Sequence, residues 1–90
     1  MRFAIITRDK PGALQIRLDT REAHLAYIEQ TGVVEMAGPF LDADGSMTGS
    51  LILLDVPDRA AAEAWAAKDP YAKAELFAKV RIEHWKKVIG

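Results

Sequence analysis

The segment Ser50–Val56, SLILLDV, constrains this chain more than any other stretch. Written as a strand, whose successive side chains point to opposite faces, it sends Leu51 and Leu53 one way and Ile52, Leu54 and Val56 the other. Both faces are apolar, so a sheet containing this strand needs cover on each side. The N-terminal run RFAIITR at Arg2–Arg8 has the same property, with Phe3 and Ile5 opposed by Ala4 and Ile6. At 90 residues, 50% of them apolar, the chain has the length of one small domain over residues 1–90, but too little to cover a sheet on both sides by itself.

The rest of the pattern supplies one covering layer. Strand Arg2–Arg8 closes at the turn-forming DKPG of Asp9–Gly12. Leu14, Leu18, Leu25 and Ile28 recur at helical spacing up to the break at Gly32, which predicts a helix over 13–30 with those residues as its packing arc. VVEMAG at Val33–Gly38 reads as a second strand stopped by Pro39, and LDADG at Leu41–Gly45 as a hairpin loop into a third strand, Met47–Val56. Asp58 then supplies an N-cap to the alanine-rich RAAAEAWAAK, whose Trp65 is expected to pack on the sheet. DPYAKAEL at Asp69–Leu76 restarts a short helical turn, and FAKVRIEHWKKV at Phe77–Val88 alternates as a last strand.

The order βαββαβ predicts an α+β, ferredoxin-like fold: a four-stranded antiparallel sheet with both helices on one face. Sheet-to-sheet homodimerisation is the expected cover for the open face, because leaving even two leucines exposed forgoes roughly 3–6 kcal/mol. The alternative is a monomer that tolerates a few surface aliphatics. Trp85, alternating with Arg81 and Glu83, is expected at the interface between copies, with a place in the cleft lining as the alternative.

Several classes are disfavoured. Lys+Arg 12 against Asp+Glu 13 leaves a net charge of -1, so nucleic acid and anionic membranes are not expected partners. The N-terminal apolar run is too short for a signal peptide or a membrane span, and a cytoplasmic location is expected. With Cys 0 there is no disulfide and no thiolate chemistry. No metal site is expected, since the two histidines are far apart in sequence and His24 has no carboxylate at helical ligand spacing, and no phosphate-cradling loop is present; no cofactor is expected. Gly45 and Gly49 read as turn and close-packing residues, and Ser50 has no nucleophile-elbow sequence around it.

The chemistry-bearing stretch is RLDTREAHLAYI at Arg17–Ile28. On a helical wheel Arg21 lies within the leucine arc, while Arg17 and His24 lie side by side at its edge. The arginines can snorkel on long stems, but the shorter histidine has to sit between packed carbon and a polar cavity. Its expected partner is Asp69, on the argument that the two long helices run in the same direction on one sheet face and end at the same side. An aspartate at one ring nitrogen fixes the tautomer and frees the other nitrogen as base or acid. Bland alternatives stand beside each reading: a histidine bonded to a backbone carbonyl, an Asp69 that only caps the DPY turn, and arginines in solvated pairs with Asp19, Glu22 or a partner subunit. Capping and ring orientation are compatible, because a carboxylate has two oxygens.

Taken together, RLxxRxxHL at Arg17–Leu25, Gly38–Pro39, Gly49–Ser50 and DPY at Asp69–Tyr71 resemble the YCII-related (YciI-like) family over essentially the whole chain. The resemblance implies a dimeric α+β barrel of ferredoxin-like subunits and an active site holding a His–Asp pair. By position the pair is His24 and Asp69, with Arg21, Gly38, Pro39 and Ser50 in the cleft. His84 departs from the proline or apolar residue expected there, and no catalytic role is expected of it. The function expected is a cofactor-independent enzyme performing acid–base chemistry (elimination, isomerisation or hydrolysis) on a small, cyclic, anionic or phenolic metabolite. The alternative is a non-catalytic small-molecule-binding or interaction module.

Overall fold

The computed structural model describes residues 1–90. Its elements are β1 (Arg2–Asp9), α1 (Leu14–Thr31), β2 (Val34–Leu41), β3 (Met47–Asp55), α2 (Arg59–Lys68), α3 (Pro70–Lys73) and β4 (Phe77–Trp85). The strands form one antiparallel sheet in the order β2-β3-β1-β4, which is the ferredoxin-like topology.

Register explains the core. Phe3 lies opposite Leu54 and Ile5 opposite Ile52, so the large residues of the two central strands share one face. There they meet Val56 and, from α2, Ala62 and Trp65 in a single buried cluster. The Trp65 indole N–H donates to Thr31 Oγ1 at 2.9 Å and the Tyr27 hydroxyl to the Trp65 carbonyl at 2.8 Å, which ties α1 to α2. A smaller cluster of Ala13, Tyr71 and Leu76 seats α3 beside the start of α1. Asp58 caps α2 as its sequence implies, accepting from the Ala61 N–H at 2.8 Å.

Four features depart from the sequence pattern. The first concerns α1: Leu14, Leu18 and Leu25 are 40–48% exposed, whereas Arg17 and His24 are its buried residues. The periodicity is helical, but the face turned inward is the one beside the leucine arc, because polar partners wait there.

Pro39 does not stop β2, which continues to Leu41. As the outermost strand, paired only with β3, it has an edge where a missing N–H costs no ladder bond. Conversely, β4 ends at Trp85 instead of Val88, since its only neighbour β1 begins at Arg2, opposite Trp85.

Finally, β1 and β3 are antiparallel, so the helices that return from them run in opposite directions, not the same one. Contacts follow that sense, with Tyr27 and Thr31 meeting Trp65 while His24 meets Asp69. Asp69 therefore reaches the middle of α1 and not its last turn.

The sheet face away from the helices carries Ala4, Ile6, Leu51 and Leu53. Ala4 and Leu53 are already 6% exposed within the single chain, Ile6 and Leu51 are half-buried, and Met36 beside them is 58% exposed. No helix is long and apolar enough to cross a membrane.

Candidate active site

Close approach of β3 to β1 sets the floor of the site. A Cβ on Gly49 would lie 2.1 Å from the Thr7 carbonyl oxygen, so only glycine allows this spacing. One residue on, the Ser50 N–H donates to Thr7 Oγ1 at 2.9 Å. The Ser50 hydroxyl is thereby presented to α1, where it accepts from Arg17 Nη2 at 3.0 Å.

Arg17 does not make the solvated pair with Asp19 or Glu22 considered from sequence. Its guanidinium is 2% exposed and forks onto Asp9 at the end of β1, with Nε to Oδ2 at 2.7 Å and Nη2 to Oδ1 at 2.9 Å. Asp19 instead accepts from Gln15. Burial works against the charged guanidinium, but the hydrogen bond and charge of Asp9 outweigh it, and the Arg17 pKa is raised. The charge of this cation is matched by Asp9, and its Nε and Nη2 donors are engaged by Asp9 and Ser50.

Two helical turns further, His24 Nδ1 lies 2.8 Å from Asp69 Oδ1, and both side chains are buried. The same Oδ1 accepts from the Tyr71 N–H at 2.9 Å, so Asp69 caps α3 and touches the imidazole through one atom. A carboxylate only accepts, so Nδ1 carries a proton, and in the neutral form of the ring Nε2 keeps its lone pair. Nε2 has no protein partner, yet no buried side-chain polar atom lacks one, so Nε2 is open to solvent-accessible space.

Tyr71 sits between the two. Its ring stacks on the imidazole at 3.9 Å between centroids and 18° between planes, and the Arg17 guanidinium lies 4.7 Å from its centre. The edge of Phe77 closes the far side at 6.1 Å. Burial raises the Tyr71 phenol pKa, against the pull of Arg17 and Arg21.

These groups border a cavity of about 170 Å³ between α1 and the β2–β3 half of the sheet. Its wall includes His24, Arg21, Tyr71 and Ser50, with Gly38 and Pro39 from β2. Pro39 is opposite Ser50 in register and shares its face, while Gly38 is opposite Leu51, so it borders the cavity through its backbone. Arg21 is exposed and has no carboxylate within ion-pair reach. His84 is remote from this wall; it stacks on Phe3 at 5.0 Å on the edge strand β4.

The structure thus brings His24, Asp69, Arg21, Gly38, Pro39 and Ser50 to one end of the α1–sheet groove, and adds Arg17, Asp9 and Tyr71. Of these, Tyr71 was within reach of the sequence as the third residue of DPY. Asp9 gave no signal apart from a turn-forming DKPG.

A ferredoxin-like domain with a buried histidine–carboxylate contact opening on a ring-sized cavity is the class this fold and cleft define. The YCII-related domain matches residues 1–86, and the chain belongs to that family. Protein YciI of Escherichia coli (strain CFT073) is 34% identical over 98% of this chain and 99% of its own length. A Haemophilus influenzae protein is 35% identical with the same coverage. Among solved structures, a 5-chloro-2-hydroxyhydroquinone dehydrochlorinase of Burkholderia phenoliruptrix, in complex with 2,5-dihydroxybenzoquinone, is similar at a TM-score of 0.89 and 38% identity, covering 96% of this chain and 94% of that one. An antibiotic biosynthesis monooxygenase, at a TM-score of 0.61 and 16% identity, shares the fold.

Proposed function

We propose that this protein is an acid–base enzyme acting on a small phenolic ring, with His24 as the proton-transferring group and Asp69 as its orienting partner. The observation that carries the reading is the 2.8 Å contact between His24 Nδ1 and Asp69 Oδ1 beside the cavity, with Nε2 left unpartnered. In this reading Nε2 takes a proton from a ring hydroxyl or an adjacent carbon and returns it later in the reaction. The charge that gathers on the imidazole is balanced by Asp69, and no cofactor enters the step.

Substrate class follows from size and charge. A cavity of about 150 Å³ accepts benzene in other proteins, so about 170 Å³ suits one six-membered ring. Arg21 supplies an uncommitted cation at the rim for a phenolate, while the backbone at Gly38 and the faces of Pro39 and Ser50 shape the wall. Similarity to an enzyme named for dehydrochlorination of a hydroxyhydroquinone supports elimination from such a ring ahead of isomerisation or hydrolysis. The open sheet face is assigned to a second copy of the chain, giving a homodimer.

The test is turnover of 5-chloro-2-hydroxyhydroquinone, followed by chloride release. His24→Gln is expected to lower kcat by about 10²- to 10⁴-fold, the range for general acid–base assistance. Asp69→Asn, which retains an oxygen for the α3 cap, should also lower kcat while leaving the melting temperature close to wild type. Full activity in His24→Gln removes the acid–base reading.

A further inference from the structure

Tyr71 is the only tyrosine in the cavity wall, and its ring is fixed on every side the structure records. His24 stacks on it, Arg17 lies against it, Phe77 meets it edge-on, and its backbone N–H is held by Asp69. Only 2% of the residue is exposed. Its hydroxyl can accept from the neighbouring Arg17 guanidinium, which only donates, but it has no protein acceptor for its own proton, which is left to face the cavity it lines. A rigidly held, uncommitted donor beside an uncommitted cation is the arrangement that recognises an anion.

We propose that Tyr71 is the ligand-orienting residue of this cavity, its hydroxyl donating a hydrogen bond to an oxyanion on a single-ring ligand whose charge Arg21 balances from the rim. The inference rests on the reading of the cavity as a site for a phenolic ring, and deepens it by fixing the ligand's ionisation state and the two groups that hold it. Arg17 also borders the cavity, but its charge is already matched by Asp9, which leaves Arg21 as the cation without a carboxylate partner. Burial keeps the Tyr71 phenol protonated above its ordinary range, as a donor must be, although Arg17 and Arg21 pull the other way.

The experiment is isothermal titration at neutral pH with two probes: 2,5-dihydroxybenzoquinone, a vinylogous acid ionised at that pH, and resorcinol, a neutral ring of similar outline. Tyr71→Phe keeps the stacked ring and should weaken binding of the anion by about 10-fold or more, as for loss of a hydrogen bond to a charged group. Arg21→Gln, at an exposed position, should weaken it comparably. The double variant should lose less than the product of the two factors, because both groups address one oxyanion. Resorcinol affinity should change less than about threefold in either variant, since no charge is at stake.

Wild-type affinity for the anion in Tyr71→Phe overturns the inference. So does an equal loss for both probes, or a wild type that binds neither. Binding is read without turnover, so the two readings fail separately. Unchanged anion binding in Tyr71→Phe, with turnover lost in His24→Gln, sinks only this inference. Anion binding that depends on Tyr71, with His24→Gln fully active, sinks only the acid–base reading.

Discussion

At the scale of single residues, α1 shows why an apolar count misjudges which side of a helix is inside. Arg17 and His24 are buried because each meets a carboxylate in a fixed geometry, Asp9 for one and Asp69 for the other. Hydropathy sees only that they are polar, so the leucines took the inward face in the sequence reading. Spacing was still informative, since it placed Arg17 and His24 next to each other on the helix. His24 was paired with Asp69 first on a helix direction that the antiparallel β1 and β3 reverse, and then by the motif resemblance, whereas the partner of Arg17 lies in a turn whose composition advertises only a bend. The pair is demanding once buried. Arg17→Met should destabilise the protein by about 3–5 kcal/mol by stranding the Asp9 carboxylate, and adding Asp9→Leu should restore most of that loss. Urea midpoints at constant m-value would show it. Equal stability of the two variants would mean that the ion pair, not its breakage, sets the energy.

Elements were more legible than faces. The strand–helix alternation survives almost unchanged, because dense aliphatic runs, the Asp58 cap and the glycine turns act locally. Misreadings came where an element's neighbour decides its extent: β2 runs through Pro39 because it is an edge, and β4 ends where β1 does. Neither fact is written in the segment itself. Gly49, by contrast, was read as a close-packing glycine, and the structure supplies its obstacle, the Thr7 carbonyl. Gly49→Ala must push β3 away from β1 and is expected to cost about 1–3 kcal/mol. Gly38→Ala, with nothing within 4 Å of the added carbon, should stay within about 0.5 kcal/mol of wild type. Thermal melts of the two variants side by side would make the comparison, and equal losses would refute it.

For the whole molecule, the βαββαβ order was enough to reach the topology, since handedness and antiparallel pairing leave few arrangements. It was not enough to reach the cavity, which lies between α1 and the β2–β3 half of the sheet, beside Ser50 and Ile52. The opposite face retains Ile6, Leu51 and the well-exposed Met36, and a second copy is expected to bury about 800 Å² of each subunit there. Leu51→Glu should shift the protein to monomers in sedimentation equilibrium without loss of far-ultraviolet circular dichroism. A wild type that sediments as a monomer, or a variant that still pairs, would rule that face out.

One oxygen, Oδ1 of Asp69, receives both the Tyr71 amide and the His24 ring, which are 47 positions apart along the chain. A partly synthesised or partly unfolded polypeptide therefore owns the imidazole but not the group that aims it. Under the proposed acid–base function, an immature molecule in which the segment around Asp69 has not yet docked would be inert, and output would count only the finished ones.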